Sequence, residues 1–323
     1  FKFKKTIHQF YPIDHTYFTK KFLKYWKPNI AIFIESEIWP SMYKEINNRN
    51  IPLILLNARI TKKTFNRWNK IKFFSKNIFD KVMIAYPQNQ ETKNYLQKLN
   101  FPKIKFIGNL KFSENNEDKN KNKFLNLKKK FKNKKIWVAS STHKGEEIFC
   151  IKTHLALKKK VKNLITVIIP RHVHRVNSII KEIENLNFDL NITIHSSNKE
   201  NLNSTDVYIV DTFGENKFFH MLGQSVFLGG SIIKRGGQNP LEAARYNANI
   251  FHGPNIDNFT DVYKFLKKYN ISKKINNSKQ LVSSLVFKKN KNQGIKIKNI
   301  GKKILNKTVK ELDSIIKNES KKT

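Results

Sequence analysis

The chain has 323 residues, with 63 Lys and Arg against 24 Asp and Glu for a formal charge of +39, and that length suits two medium domains better than one. Apolar residues make up 39% of it, with 25 Phe, enough to bury real cores and to exclude wholesale disorder. The single cysteine, Cys150, excludes a disulfide scaffold and a multi-cysteine metal site, and no stretch approaches the ~20 apolar residues of a membrane span.

The charge invites a nucleic-acid partner. Only seven of the 63 basic residues are Arg, however: Arg49, Arg59, Arg67, Arg171, Arg175, Arg235 and Arg245. The remainder are Lys, alongside much Asn, Ile and Phe, which reads as a global drift in composition. Nucleic-acid readers favour the planar fork of Arg. The charge therefore speaks only weakly for nucleic acid and more for comfort near an anionic membrane surface. Against the drift, each surviving Arg marks a need for bidentate geometry. Glycine is equally sparse: of 11, six lie between Gly214 and Gly237. No signal peptide is visible, and the chain opens at Phe1 on structured-looking sequence, so a segment is expected upstream.

Taken from the N-terminus, Tyr17–Trp26 sets Phe18, Phe22, Leu23 and Trp26 among Lys20, Lys21 and Lys24. The pattern suits an interfacial helix with aromatic anchors, or equally a helix packed on a core. Short apolar runs then predict strands at Ile30–Ile34, Pro52–Leu56, Val82–Ala85 and Ile104–Ile107. Further runs lie at Ile136–Ala139, Leu164–Ile169, Asn191–Ile194, Val207–Val210, Val226–Leu228 and Asn249–Phe251. Near-continuous apolar strands separated by helices predict an α/β fold with parallel, doubly wound sheets. The polar stretch Ser113–Lys135, without Gly or Pro, is the natural junction. It divides the chain into a domain over 1–112, a linker over 113–135 and a second domain over 136–290. Residues 291–323 follow, with Ile297, Ile300, Ile304, Val309, Leu312, Ile315 and Ile316 on one helical stripe. Such a stripe could lie on a membrane, but docking on its own protein is the favoured reading.

The chemistry-bearing residues sit where strands end, which is where open α/β sheets bind ligands. "ESEIWP" (Glu35–Pro40) puts two acids after the first strand, either as a helix N-terminal cap or as an acid facing a cleft, with Glu35 and Glu37 not distinguished. "GNLKF" carries Lys111 to a sheet edge beside the junction. "ASSTHKGEE" offers Ser140, Ser141 and Thr142 at a helix start, for an anion or for an ordinary capping box. "IIPRHVHR" gathers Arg171, His172, His174 and Arg175. With no carboxylate or Cys companion this suits a phosphate or carboxylate partner rather than zinc, or a cluster paired to Glu146 or Glu147. "DTFGE" holds Asp211, Gly214 and Glu215 at another strand end. "GGSIIKRGGQNPLEAA" is the most specific run: paired glycines permit close backbone approach to a ligand, Asn239 and Pro240 lead into a helix, and Glu242 one turn in can accept bonds from two ribose hydroxyls. Neither a Walker motif nor GxGxxG is present.

In this order "ESEIWP", "NARIT", "GNLKF", "ASSTHKGEE", "PRH", "DTFGE" and "GGSIIKRGGQNPLE" closely resemble the 3-deoxy-D-manno-octulosonic acid (Kdo) transferases, from "FYPIDH" to at least "HGPNIDNF". The resemblance implies a GT-B glycosyltransferase, two Rossmann-like domains facing a cleft. It would be an inverting enzyme on the cytoplasmic face of the bacterial inner membrane, moving Kdo from CMP-Kdo to lipid IVA. By analogy Ser140, Ser141, Thr142, Arg171, His172, Gly230, Ser231, Gly236, Gly237, Asn239 and Glu242 would hold CMP-Kdo, with Asp211, Gly214 and Glu215 at the same set of strand ends. Glu35, Arg59 and Lys111 would line the sugar side. No metal cofactor is expected, because a positive site and helix dipoles can stabilise the CMP leaving group. Many relatives carry His where Gln238 stands; Gln still donates and accepts. The family's presumed catalytic Glu and its membrane anchor match a region before Phe1, so this chain is expected to bind donor but to transfer poorly. Two other readings compete: a GT-B sugar-nucleotide epimerase, which would favour UDP ligands, and a basic nucleic-acid-binding protein with steep salt dependence.

Overall fold

The computed structural model describes residues 5–113, 121–197, 201–290 and 292–321. It divides into two compact units: unit 1 is Phe1–Glu114 with Gly301–Thr323, and unit 2 is Asn115–Ile300.

Unit 1 runs α1 (Thr16–Trp26), β1 (Ala31–Ile34), α2 (Pro40–Asn47), β2 (Leu53–Ala58), α3 (Lys62–Lys70), α4 (Lys72–Phe79), β3 (Ile84–Pro87) and α5 (Gln90–Lys98). The strands form a parallel sheet in the order β1-β2-β3. Central β2 is buried along its whole length, as a strand covered on both faces should be. Side chains alternate across a strand, and β2 uses both sets. Leu53 and Leu55 enter a core with Leu23, Met42, Tyr43, Ile46 and Phe79. Ile54 and Leu56 meet Ile84 and Tyr86 on the other face. Asp14 accepts from the backbone N–H of Ser41 and Met42 at 3.1 and 2.9 Å, and so satisfies the first turn of α2 behind Pro40. The run Ile104–Ile107 is no strand: among the described residues it makes one parallel bridge, Ala85 with Ile104. Pro102 lacks an N–H, Lys105 and Phe106 are exposed, and Gly108 turns the chain away at φ 132°, so nothing extends the pairing.

Unit 2 runs α6 (Lys121–Lys130), β4 (Lys135–Thr142), α7 (Glu146–Lys158), β5 (Leu164–Pro170), α8 (Val176–Glu184), β6 (Ile192–Ile194), β7 (Val207–Ile209), α9 (Asn216–Leu222) and β8 (Ser225–Leu228). It continues with α10 (Leu241–Arg245), β9 (Asn249–His252), α11 (Thr260–Lys268), β10 (Ser272–Lys274), α12 (Ser278–Ser284) and the start of α13 (Gln293–Ser320), whose residues from Gly301 on belong to unit 1. Seven parallel strands lie in the order β10-β9-β8-β4-β5-β7-β6. The connections go one way from β4 toward β5 and the other way from β8 toward β9. The switch between β4 and β8 is the place where such sheets open a crevice at their carboxyl ends. Trp137, Ala139, Ile168, Phe227 and Phe251 fill the core under α7, α8 and α12. β10 has no counterpart in the sequence reading: "SKK" has no apolar run, and Lys273 and Lys274 are exposed at the edge of the sheet.

Of the expected junction 113–135, residues 114–120 lie outside the described residues. Its later part is α6, with Leu127 and Phe131 buried and the Phe131 ring edge-on to Tyr208 at 5.0 Å. The C-terminal stripe forms α13, and within unit 1 Leu312 and Ile315 pack against Ile54, Ile84 and Tyr86. Val309 and Ile316 remain exposed. No helix among the described residues is long and apolar enough to cross a membrane.

Candidate functional site

In unit 1 three of the sequence-selected residues converge at the carboxyl ends of β1 and β2. Glu35 follows β1 directly; its N–H donates to the Leu56 carbonyl at 3.0 Å, and the N–H of Arg59 donates to the Glu35 carbonyl at 3.1 Å. The Glu35 carboxylate pairs with Lys111 at 2.8 Å, and both side chains are about a third exposed. Lys111 lies in a 3-10 turn, Leu110–Ser113, which Asn57 holds by accepting from the Leu110 N–H at 3.0 Å. Glu37 takes the indole N–H of Trp39 at 2.8 Å. Of the two acids, Glu35 is therefore the one joined to Lys111. Neither caps α2, whose N-cap is Trp39 without a side-chain bond.

Backbone conformation singles out the same residue. Twelve non-glycine residues among those described have positive φ, and nine are Asn, the side chain that best tolerates it. The exceptions are Lys27, Glu35 at 61° and Ser141 at 57°. Two of these three stand among the candidate site residues, where backbone strain tends to gather.

In unit 2 the strand ends beside the β4/β8 switch carry a positive cluster. His143 follows β4, Arg171 and His172 follow β5, and Arg235 lies in the loop after β8. The His143 and His172 rings are 6.0 Å apart. Burial first, then Arg235, His172, Arg175 and Arg171, push the His143 imidazole below its usual range. Arg171, His172 and Arg235 are exposed. Arg175 is spoken for: its guanidinium meets the buried Glu147 carboxylate at 2.9 and 3.3 Å. Among the described residues only that member of the "PRHVHR" cluster is seen paired to Glu147, and Arg171 and His172 are exposed.

Glu146, which the sequence offered only as a partner for the "PRHVHR" cluster, is held by backbone instead. Its carboxylate is fully buried and accepts four backbone N–H groups: Gly230 at 2.7 Å, Ser231 at 3.1 Å, Ile232 at 3.0 Å and His143 at 3.0 Å. Burial raises its pKa against the lowering pull of those four donors. Gly230 and Ser231 thus spend their N–H groups inward, on the scaffold. The glycines serve the same end. A Cβ on Gly229 would stand 2.3 Å from the Ser141 carbonyl oxygen, and one on Gly236 would stand 2.4 Å from Asn258 Nδ2. They let loops close on one another. Gly237, at positive φ, donates to the Gly230 carbonyl at 2.8 Å. Gly145 is the N-cap of α7 and makes no side-chain bond, so the hydroxyls of Ser140, Ser141 and Thr142 do not form a capping box.

Ser140 is buried, and its Oγ lies 3.0 Å from His220 Nε2. His220 Nδ1 lies 3.7 Å from Glu242 Oε2. Thr142 is buried, with its hydroxyl lacking a partner. Asn239 accepts from the Leu241 N–H at 3.1 Å and so starts α10, which carries Glu242. The "DTFGE" acids turn toward the β6–β7 edge. Asp211 accepts from the Ser196 N–H at 3.0 Å. Glu215 meets Lys123, His195 Nε2 at 2.6 Å and the Thr212 hydroxyl at 3.0 Å. Burial would raise its pKa, but Lys123, Thr212 and His195 outweigh that and hold it low. Gly214, at φ 78°, turns the exposed loop between them. A cavity of about 460 Å³ opens beside Asp211, lined also by His174, Asn177 and Ser196.

Two parallel α/β units with polar groups at their strand ends define a GT-B fold. The chain matches a UDP-GlcNAc 2-epimerase from Neisseria meningitidis with a TM-score of 0.54, at 13% identity over 91% of this chain and 80% of that one. It matches the trehalose-6-phosphate synthase OtsA at 0.55, with 10% identity over 94% and 75%. These likenesses show the fold alone. In sequence, residues 1–114 match the family model described as 3-deoxy-D-manno-octulosonic-acid transferase. The chain is 33% identical over 296 residues to the 3-deoxy-D-manno-octulosonic acid transferase of Rickettsia bellii, covering 92% of this chain and 70% of that one. It is 34% identical to that of Rickettsia felis (91% and 63%) and 31% identical to that of Haemophilus influenzae (80% and 61%). The chain belongs to the 3-deoxy-D-manno-octulosonic acid transferase family, and spans a little under two thirds of the length of several of these relatives.

Proposed function

We propose that this chain takes part in transfer of Kdo from CMP-Kdo to lipid IVA in lipopolysaccharide biosynthesis, with unit 2 holding the donor. The observation that carries the reading is the outward-facing group Arg171, His172 and Arg235 around His143, at adjacent strand ends of a sheet in a member of this family. The donor phosphate would meet that group, and the charge developing on the CMP leaving group would be met there without recourse to a metal ion. Glu242 would accept from the ribose hydroxyls. Glu35, Arg59 and Lys111 of unit 1 would serve the sugar and its acceptor, with Lys111 or an Arg opposing the Kdo carboxylate.

Lipid IVA is an anionic lipid, and an anionic membrane on the cytoplasmic side of the inner membrane suits unit 1. Tyr17 and Tyr25 of α1 are 63% and 78% exposed, and Phe73 of α4 is 89% exposed between Lys70, Lys72 and Lys76. Exposed aromatic rings among lysines favour the headgroup layer of such a surface.

Thermal shifts with CMP, UMP and UDP test the donor reading. A ligand at a hundred times its dissociation constant stabilises by about 2.7 kcal/mol. A CMP-selective shift that Arg171→Ala abolishes is the expected result. A preference for UDP would move the chain toward the epimerases it resembles in fold.

A further inference from the structure

We propose that His220 is a positioning residue for Glu242, a neutral relay that ties the end of β4 to α10 and sets the carboxylate to receive a ribose diol. The inference rests on the donor-site reading of unit 2.

His220 lies in α9 and is 3% exposed. Its two ring nitrogens face two residues that sequence reading assigned to the donor, Ser140 at 3.0 Å and Glu242 at 3.7 Å. Nδ1 is buried and has no hydrogen-bond partner. An orphaned buried nitrogen is expensive to keep, and here it is aimed at a carboxylate.

The charge state of the ring follows from its surroundings. Burial, reinforced by the Lys289 ammonium, pushes the His220 pKa down to about 3. Lys289 itself donates to the carbonyls of His220, Met221 and Tyr246, and so clamps the end of α9 to the end of α10. A neutral imidazole has a single N–H. On Nε2, that proton would leave the Nδ1 lone pair facing the Glu242 oxygen. On Nδ1, it points at Glu242, and Nε2 accepts the Ser140 hydroxyl proton. Only the second tautomer leaves no lone pair against the carboxylate.

The remaining gap is informative. A separation of 3.7 Å is outside hydrogen-bond range. The Glu242 side chain is a third exposed, and in the proposed arrangement, with a ribose bound, it closes this gap and takes the Nδ1 proton on Oε2. With one oxygen held in that way, the other is fixed in direction for the two hydroxyls of a ribose. Discrimination between a nucleotide and its 2′-deoxy analogue then depends on His220 as well as on Glu242.

Calorimetric binding of CMP and 2′-deoxy-CMP to four proteins tests this: wild type, Glu242→Ala, His220→Asn and His220→Gln. Wild type is expected to prefer CMP about tenfold, the worth of one to two hydrogen bonds, and Glu242→Ala to abolish the preference. Asn places an N–H donor near the Nδ1 position and is expected to retain most of the preference. Gln reaches the Nε2 position and is expected to lose it, with the circular dichroism spectrum unchanged. A folded His220→Gln protein that keeps the full preference overturns the proposal, as does an equal loss in both variants, which would make His220 a packing residue. If His220→Gln does not fold, Ser140→Ala probes the relay from its other end: a lowered ratio supports the proposal and an unchanged one overturns it. Equal affinity of wild type for the two nucleotides, or an undiminished preference in Glu242→Ala, removes the diol role of Glu242. Failure of wild type to bind CMP at all overturns the donor-site reading itself.

Discussion

Glu146 and Glu35 each stand just past the carboxyl end of a parallel strand, and they are held in opposite ways. Glu146 is wholly buried and takes four N–H groups, three of them from the loop after β8. Glu35 is a third exposed, sits at φ 61° and is joined to Lys111. The first carboxylate completes the scaffold: it ties the glycine-rich loop after β8 to the start of α7, close to the strand ends that carry the exposed Arg171, His172 and Arg235. The second is kept in a conformation its own backbone disfavours, at modest benefit to the fold. A polar group satisfied from all sides is there for the protein. One held under strain beside water does less for the fold, and the proposed reading gives it the sugar side to serve.

The largest effect should come from breaking the first arrangement. Glu146→Ala leaves four backbone N–H groups, two of them buried and two part-buried, without their acceptor and is expected to cost about 4 kcal/mol. Urea titration followed by hydrogen exchange should show unit 2 opening while peptides of β1–β3 keep their protection. Loss of less than about 1 kcal/mol would mean that the loop finds its own partners, and the contrast with Glu35 would fail.

Acid should separate the units next. Of the nine histidines, seven lie in unit 2. Burial holds His220 at about 3 and His154 at about 4, the latter despite Asp206 nearby. Both folded-state values are below the unfolded one, about 6.5. The unfolded chain therefore binds more protons below pH 6.5. The stability these histidines contribute is complete above that pH and is lost as pH falls toward 4. At pH 5.5 the two together should cost about 3 kcal/mol. Glu146, whose pKa burial raises, takes up its proton more readily in the folded chain and so opposes part of this loss as pH falls. Hydrogen exchange at pH 7.5 and 5.5 reads it: protection should fall in the unit 2 strands first. Equal protection of β4 and β5 at both values would remove His154 and His220 as acid-sensitive points.

The same two carboxylates mark how far the sequence could be read. The parallel α/β architecture was legible because β2, β4 and β5 are continuous apolar runs, the mark of strands covered on both faces. Edges were not: Ile104–Ile107 looks like a strand and makes one bridge, while "SKK" at β10 looks like nothing and pairs with β9. Pairing at an edge depends on neighbours rather than on the run itself. Within the site, the motifs offered Arg171 and His172, which are exposed, but left Glu35 and Glu37 undistinguished, and only the ion pair of Glu35 with Lys111 separates the two acids. Glu146 stands in "ASSTHKGEE" with nothing local to mark its role, since three of its donors lie 84 to 86 residues further on. His220 carries no local signal at all, because its partners come from β4 and α10. The glycines were read as room for a ligand, and at Gly229 and Gly236 the room is taken by other loops.

The smallest effect is the one that tests the second carboxylate. Elsewhere the chain solves left-handed positions with Asn, as at Asn57, Asn100 and Asn247. Glu35→Asn puts that solution at the end of β1. It should relieve up to about 1 kcal/mol of backbone strain. It also breaks the pair with Lys111, which at this exposure is worth less than about 1 kcal/mol. The two nearly cancel, so unit 1 should be as stable as wild type or slightly more so. Lys111→Ala, which breaks the pair and keeps the strain, should be less stable than Glu35→Asn by about the strain itself. Urea midpoints followed on Trp26, Trp39 and Trp68, all in unit 1, can resolve that order. If Glu35→Asn instead unfolds unit 1 by about 2 kcal/mol or more, Glu35 is as much a part of its scaffold as Glu146 is of unit 2. If the order holds, the chain keeps a glutamate where an asparagine would fold equally well, and the reason for it lies in what the carboxylate meets.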